Sequence, residues 1–170
     1  IEAGLRAGGL RVFCKTTGTD PMTIDVNGRE ELICRRGKAN IKEQIAVLRR
    51  AAAQNAQVLV VECMAITPEF QQTSQHDILR ADIGVITNVR RDHMDVMGDT
   101  LPRIADALCH TVPRRGILFT AETVMTEWLK AAAEKNGSSF VCAEVRGDEG
   151  TLDFPENVAL ALAVCEELGV

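Results

Sequence analysis

Val58-Leu59-Val60-Val61 is an unbroken apolar run, mostly β-branched, that stops abruptly on the acid Glu62. A run of this kind suits a parallel strand covered on both faces. Ile83-Gly84-Val85-Ile86-Thr87 repeats the pattern and opens into the polar stretch Asn88-Val89-Arg90-Arg91-Asp92-His93-Met94-Asp95. Between the two runs, the residues from Pro68 to Gln75 predict a short helix. Upstream, Leu10 to Lys15 reads as a strand, Thr16 to Pro21 as a polar turn, and residues 22 to 36 as a short hairpin stretch around Asn27-Gly28, a favoured turn pair. Asn40 followed by Glu43 resembles a capping box, and Ile41, Ile45, Leu48 and Ala52 recur at helical spacing, predicting a helix over 40 to 54.

Downstream, Thr100 opens a helix with Ile104, Ala105 and Leu108 inward, and Ile117-Leu118-Phe119 is a strand. Val124, Met125, Trp128, Leu129 and Ala132 form a further helical stripe, and Phe140-Val141-Cys142 a further strand. Residues 155 to 168 read as a helix apolar on nearly every face, which predicts deep burial. The alternation of strand and helix points to an α/β fold with a mostly parallel sheet flanked by helices. Ile1 to Gly9 reads as the last turns of a helix closed by glycines. The expectation is therefore a fragment, with sequence missing from its front and from its back.

The 170 residues suit one domain, large enough to bury roughly two-thirds of the surface of the unfolded chain. Apolar residues make up 46% and aromatics only 4%, so the core must be built from aliphatic side chains. The net charge of -5, with acids and bases interleaved, argues against a nucleic-acid binder, which needs a basic face. Six cysteines stand without a C-x-x-C pair, which disfavours zinc and predicts reduced, buried thiols. No apolar stretch approaches the roughly 20 residues needed to cross a bilayer.

In open parallel sheets, ligands gather where the carboxyl ends of strands meet helix starts. Glu62 ends one apolar strand, and the Asp92-His93-Met94-Asp95 loop follows another. Carboxylate and imidazole donors there suit one Mg²⁺ or Mn²⁺. The plainer alternative has Glu62 capping a helix or pairing with an arginine, and His93 held by Asp92 or Asp95. Cys63 continues the buried strand and is read as a structural thiol. His76 and His110 show no partner pattern. No G-x-x-x-x-G-K-[ST] segment is present; Gly37-Lys38 comes nearest, with Leu32 and Ala39 in the wrong places.

The strings themselves carry a resemblance. Thr87-Asn88-Val89-Arg90-Arg91-Asp92-His93-Met94-Asp95-Val96-Met97-Gly98 resembles the T-N-x-x-x-D-H-x-D-x-x-G signature of Mur ligases. Val60-Val61-Glu62-Cys63 resembles their strand-end acidic segment, and Asn157 in Glu156-Asn157-Val158-Ala159-Leu160-Ala161 their N-x-x-A helix. Within that superfamily, Lys15-Thr16-Thr17-Gly18-Thr19, Arg35 to Gln44 and Val61 to Ile66 are similar to the ligase subunits of bacterial poly-γ-glutamate synthases, which serve capsule biosynthesis.

The resemblance implies a single Mur-type central, ATP-binding domain over residues 1 to 170. It would be P-loop NTPase-like, N-terminally truncated, and without its phosphate-binding loop. It implies that Glu62 and His93 carry magnesium, with Asp92 and Asp95 orienting His93. Asn157 and Asn88 would lie on the nucleotide side, and Lys15 and Arg90, with Arg36 and Lys38, would supply cations. Thr16, Thr17, Gly18, Thr19, Arg36 and Asn40 would meet the acceptor substrate. The implied cofactors are ATP and Mg²⁺, with Mn²⁺ as substitute, and the implied partners are glutamate or a poly-γ-glutamate chain. The implied setting is cytoplasmic, at the inner membrane face through membrane subunits, with a homo-oligomer as a further expectation. Other Mur-type ligases, acting on cell-wall precursors or folates, and a non-catalytic assembly module are the alternatives.

Overall fold

The computed structural model describes residues 1 to 35, 37, 40 to 146 and 154 to 170. The predicted opening helix is α1 (Glu2–Ala7). It closes through Gly9, whose φ of +87° is a left-handed conformation that glycine adopts without strain, and through a Leu10 N–H donated to the Leu5 carbonyl. β1 (Val12–Lys15) follows, and then a hairpin of β2 (Met22–Ile24) and β3 (Glu30–Leu32). The Asn27-Gly28 turn forms as expected, with Gly28 at φ +82° and Asp25 Oδ1 accepting the N–H groups of Asn27 and Arg29.

α2 (Glu43–Ala53) starts later than the capping box predicts. Asn40 Oδ1 accepts only the Lys42 N–H, forming a local turn, because the Glu43 carboxylate is engaged by Arg35 and Lys15 and does not turn back to cap the helix. β4 (Val58–Val61) follows. α3 (Pro68–Gln72) runs directly into a π-helical segment, Thr73–Leu79, which Arg80 ends in the left-handed region. After β5 (Ile83–Ile86) come a single turn α4 (Met94–Met97), α5 (Leu101–Cys109), β6 (Ile117–Thr120), α6 (Thr126–Lys135), β7 (Ser139–Cys142) and α7 (Pro155–Glu167).

The strands form two sheets, not one. The first is mixed, in the order β3-β2-β1-β4, with β1 and β4 parallel in register Val12 to Val58 through Lys15 to Val61. The second, β5-β6-β7, is wholly parallel. Among the described residues β4 pairs only with β1, and β5 only with β6. Val58 and Val60 pack with Leu5 and Val12 on one face and Leu59 and Val61 with Phe13, Val47 and Ala51 on the other, so the strand is covered on both faces as expected, and each side chain is half-buried.

Helix α7 packs against both sheets. Its Leu160 and Val164 lie on Phe119 with Ile83 and Ile117, while Cys165 and Leu168 lie with Leu5, Val12, Val58 and Val60. It buries one face only: Leu162 is exposed, correcting the all-round burial that its composition predicts. The other face of the parallel sheet is closed by Ile104 and Ala105 of α5 with Leu129 and Ala133 of α6. The α6 stripe is likewise narrower than predicted, since Val124 and Trp128 are exposed. All six cysteines are free; Cys14 and Cys165 are buried, while Cys34, Cys63 and Cys142 are exposed, against the prediction of buried thiols.

Candidate functional site

Parallel pairing puts the carboxyl ends of β1 and β4 side by side, and likewise those of β5 and β6, so the polar residues of the sequence motifs collect at strand ends. Lys15 is the last residue of β1, and its carbonyl accepts the Glu62 N–H at 3.0 Å. Glu62 itself is exposed, and its Oε2 accepts the Thr17 N–H at 2.6 Å. This bond fastens the Thr16-Thr17-Gly18-Thr19 loop to the end of β4. The loop is held from its other side by Thr16, whose N–H reaches the Met22 carbonyl and whose Oγ1 accepts the Met22 N–H. Gly18 and Thr19 are exposed, and Gly18 has a φ of +92°. Glu62 Oε1 takes no hydrogen bond from the described residues, so it can take a ligand.

Lys15 is fully buried, 0% exposed. Its Nζ lies 3.3 Å from Glu43 Oε1 and 3.5 Å from Met64 Sδ, and Glu43 also accepts two hydrogen bonds from Arg35. Burial pulls the Lys15 ammonium below its ordinary range, outweighing the attraction of Glu43. Glu43 is held below the usual carboxylate range, first by the Arg35 hydrogen bond, and by Lys15 as well. The Lys15 ammonium is thus held in the interior, with Glu43 and Met64 as its partners. Arg36 and Lys38 lie outside the described residues; Asn40 is exposed at the approach to α2.

Cys63 lies beyond the end of β4 and is exposed, contrary to its reading as a buried strand thiol. Local loss of hydration still raises its pKa, so it is a poor nucleophile.

At the end of β5, Asn88 is half-buried and Arg90, Arg91, Asp92, His93 and Asp95 are exposed. His93 takes φ 45° and ψ 40°, a left-handed conformation uncommon outside glycine, at the cap of α4. Its carbonyl accepts the N–H groups of Val96 and Met97, and its own N–H donates to Asp92 Oδ1 at 2.8 Å. Backbone strain of this kind concentrates at functional sites. His93 Nε2 lies 3.8 Å from Asp92 Oδ2, with both side chains open to solvent, so the pair is loose. Asn157 is exposed in the first turn of α7. Among the described residues no three His, Cys, Asp or Glu side chains converge into a ready-made metal cage.

One residue of this region escapes the sequence motifs. Glu122 lies just past β6, 5% exposed, and accepts backbone N–H groups from Val89 at 2.5 Å, Val124 at 2.6 Å and Met125 at 3.0 Å. Burial pushes its carboxyl up, but the backbone donors together outweigh burial and hold it below the usual range. In sequence Glu122 sits in a turn just after β6, and no local pattern marks it. A cavity of about 900 Å³ lies among α3, α5 and α6 and takes in His76, His110 and Trp128. It shares no residue with the strand-end positions.

Residues 10–146 match the family model of the Mur ligase middle domain. The chain is 39% identical over its whole length to "PGA synthase CapB" of Bacillus subtilis (strain 168), covering 44% of that protein. It is 41% identical over 92% of its length to "Capsule biosynthesis protein CapB" of Bacillus anthracis, covering 36% of it. The chain therefore spans less than half the length of these relatives. Among solved structures, the fold matches E. coli FolC in complex with DHPP and ADP, with a TM-score of 0.62 and 14% identity over 96% of this chain and 48% of that one. It also matches a mutant of L. casei FPGS, with a TM-score of 0.64 and 15% identity over 96% of this chain and 53% of that one. At such identities the structural likeness speaks for the fold alone. No described helix is long and apolar enough to cross a membrane. The family match and the two relatives place the chain in the Mur ligase middle domain family.

Proposed function

We propose that this chain is the nucleotide-handling domain of an ATP-dependent ligase that joins glutamate through its γ-carboxylate in capsule polymer synthesis. The observation that carries the reading is the placing of an exposed carboxylate, Glu62, and an exposed imidazole on a left-handed backbone, His93, at carboxyl ends of strands in a Mur ligase domain. The capsule and poly-γ-glutamate assignment draws on the two CapB relatives.

The donor types suit a divalent cation: Glu62 offers its open Oε1 and His93 a solvent-facing ring, and a carboxylate with an imidazole accommodates Mg²⁺ or Mn²⁺. Magnesium held there would offset the repulsion between the phosphate of ATP and the carboxylate it activates. The residues of this chain supply the rest. Thr17 N–H fixes the orientation of Glu62, Asp92 Oδ1 accepts the His93 N–H, and Asp95 is assigned to His93 from its motif. Arg90 is an exposed cation beside the site, and Asn88 and Asn157 are assigned to the nucleotide. Thr16, Thr17, Gly18, Thr19 and Asn40 line the acceptor side, with Arg36 assigned there from its motif. Lys15, buried against Glu43 and Met64, acts from the interior, and its carbonyl holds the Glu62 N–H.

The reaction class is activation of a γ-carboxylate to an acyl phosphate and attack by a glutamate amine. The polymer, glutamate and membrane subunits of a synthase are the proposed partners, and the inner face of the membrane the proposed place of work. Two apolar strand edges, those of β4 and β5, stand unpaired among the described residues while one helix packs on both sheets. These edges support the reading that the phosphate-binding loop, with a strand leading into it, belongs to a segment outside these 170 residues.

A hydroxylamine trap tests the proposal. The full-length protein with ATP, Mg²⁺ and glutamate is expected to yield γ-glutamyl hydroxamate, and residues 1 to 170 alone to hydrolyse no ATP. No hydroxamate from the full-length protein, or its formation only with cell-wall precursors or folates, would overturn the glutamate assignment.

A further inference from the structure

We propose that Glu122 is the positioning residue of the His93 loop. Its carboxylate ties the backbone at Val89 to the start of α6, and so fixes where Asn88 and His93 stand at the carboxyl edge of the parallel sheet. Its functional consequence rests on the reading of His93 as a metal ligand; the clamp itself rests on geometry alone.

The two carboxylate oxygens divide the work. Oε2 accepts the Val89 N–H, which belongs to the loop leaving β5, while Oε1 accepts the N–H groups of Val124 and Met125, which lead into α6. A second link runs parallel to this one. Thr120, fully buried, donates its hydroxyl to the Ile86 carbonyl at 2.6 Å, and the same oxygen accepts the Glu122 N–H at 3.1 Å. The β5–β6 pair is therefore stitched twice at the level where the candidate ligands emerge. Val89 itself is buried in the core with Ile86 and Ile104, so one side of the loop is fixed by packing and the other by Glu122. Residues 90 to 95 then project from this anchor into solvent, and His93 holds its left-handed backbone four residues beyond it.

Glutamine tests the clamp because it keeps the shape and loses one acceptor. In Glu122→Gln, either Val89 or the Val124–Met125 pair must face an NH₂ group in place of an oxygen. The expected results are amide hydrogen exchange at least about tenfold faster from Val89 to His93, and Mn²⁺ affinity about 10 to 100-fold weaker, the range seen when an outer partner of a ligand is lost. Leu129→Ala, a core truncation in the same domain, is the control for general loosening. Thr120→Val, which breaks only the parallel link, replaces Glu122→Gln should that variant fail to fold, with the same direction expected at smaller size.

Unchanged exchange at Val89 in the folded variant overturns the clamp. Equal weakening of Mn²⁺ binding by Leu129→Ala reduces Glu122 to an ordinary structural group and overturns the proposal. Faster exchange with unchanged Mn²⁺ affinity, where His93→Ala abolishes binding, overturns the positioning role and leaves the metal reading intact. If His93→Ala leaves Mn²⁺ affinity unchanged, the metal reading fails separately, and exchange from Val89 to His93 in Glu122→Gln alone upholds or overturns the clamp.

Discussion

The end of β4 and the end of β5 carry the two halves of the candidate site, and they are anchored by opposite means. Glu62 stands above a buried ammonium: Lys15, with Glu43 and Arg35 behind it, fills the interior beneath the Thr16–Thr19 loop. His93 stands beyond a buried carboxylate: Glu122, satisfied by backbone N–H groups. The first anchor relies on an ion pair whose cost is desolvation, the second on charge-assisted hydrogen bonds to the main chain. A buried pair is sensitive to loss of either partner. A main-chain clamp is sensitive to loss of acceptor geometry.

The largest expected effects strike both halves at once. Glu62→Gln and His93→Ala in the full-length protein are each expected to lower hydroxamate formation by roughly a hundredfold or more, as loss of a direct ligand should exceed loss of an outer partner. An effect on one half only would show that the two strand ends do not share one ion. Next in size, Glu43→Gln leaves the fully buried Lys15 ammonium without its carboxylate and should cost about 3 kcal/mol by urea unfolding, the low end of the range because Glu43 itself is partly open to solvent. Thr120→Val, acting on the other half, should cost about 1 to 2 kcal/mol in the same measurement.

Acid acts on both anchors. Glu43 and Glu122 are held below the usual carboxylate range, Glu43 chiefly by Arg35 and Glu122 by backbone donors that outweigh burial. A carboxyl depressed in the folded state contributes stability above its unfolded value, and loses it as pH falls through the folded value. Unfolding midpoints should thus be level from neutrality to about pH 5 and fall below it. Glu43→Gln and Glu122→Gln should each flatten that fall. Smallest of all, Asp92→Asn should shift stability by under about 0.5 kcal/mol, because Asp92 is exposed and its approach to His93 is loose.

Much of the fold was legible in the sequence because its strands are short apolar runs bounded by turn chemistry. Ile83 to Ile86 and Asn27-Gly28 formed as their patterns dictate. What failed depended on distant partners. Val58 to Val61 are covered on both faces as read, yet apolar character alone cannot say that the second edge of this strand finds no partner among the described residues, so that one sheet becomes two. Asn40 and Glu43 read as a capping box, but Arg35 and Lys15 compete for the same carboxylate and win, since two cations attract it more strongly than one backbone N–H.

The same limit applies to the candidate site. The signature around His93 and the acid at Glu62 were visible as strings, whereas Lys15 read as an available cation until the packing of α2 buried it. Glu122 had no local signature at all, because its meaning arises only when β5 and β6 pair and bring Val89 to it.

Everything proposed for the strand ends depends on Glu62 and His93 holding a divalent cation there. Electron spin-echo spectroscopy of Mn²⁺ bound to the full-length protein with a non-hydrolysable ATP analogue reads those ligands without intermediaries. The expected result is nitrogen modulation from a coordinated imidazole that disappears in His93→Gln, with weakened Mn²⁺ binding in Glu62→Gln. Bound Mn²⁺ whose affinity and spectrum are unchanged by both substitutions would contradict it.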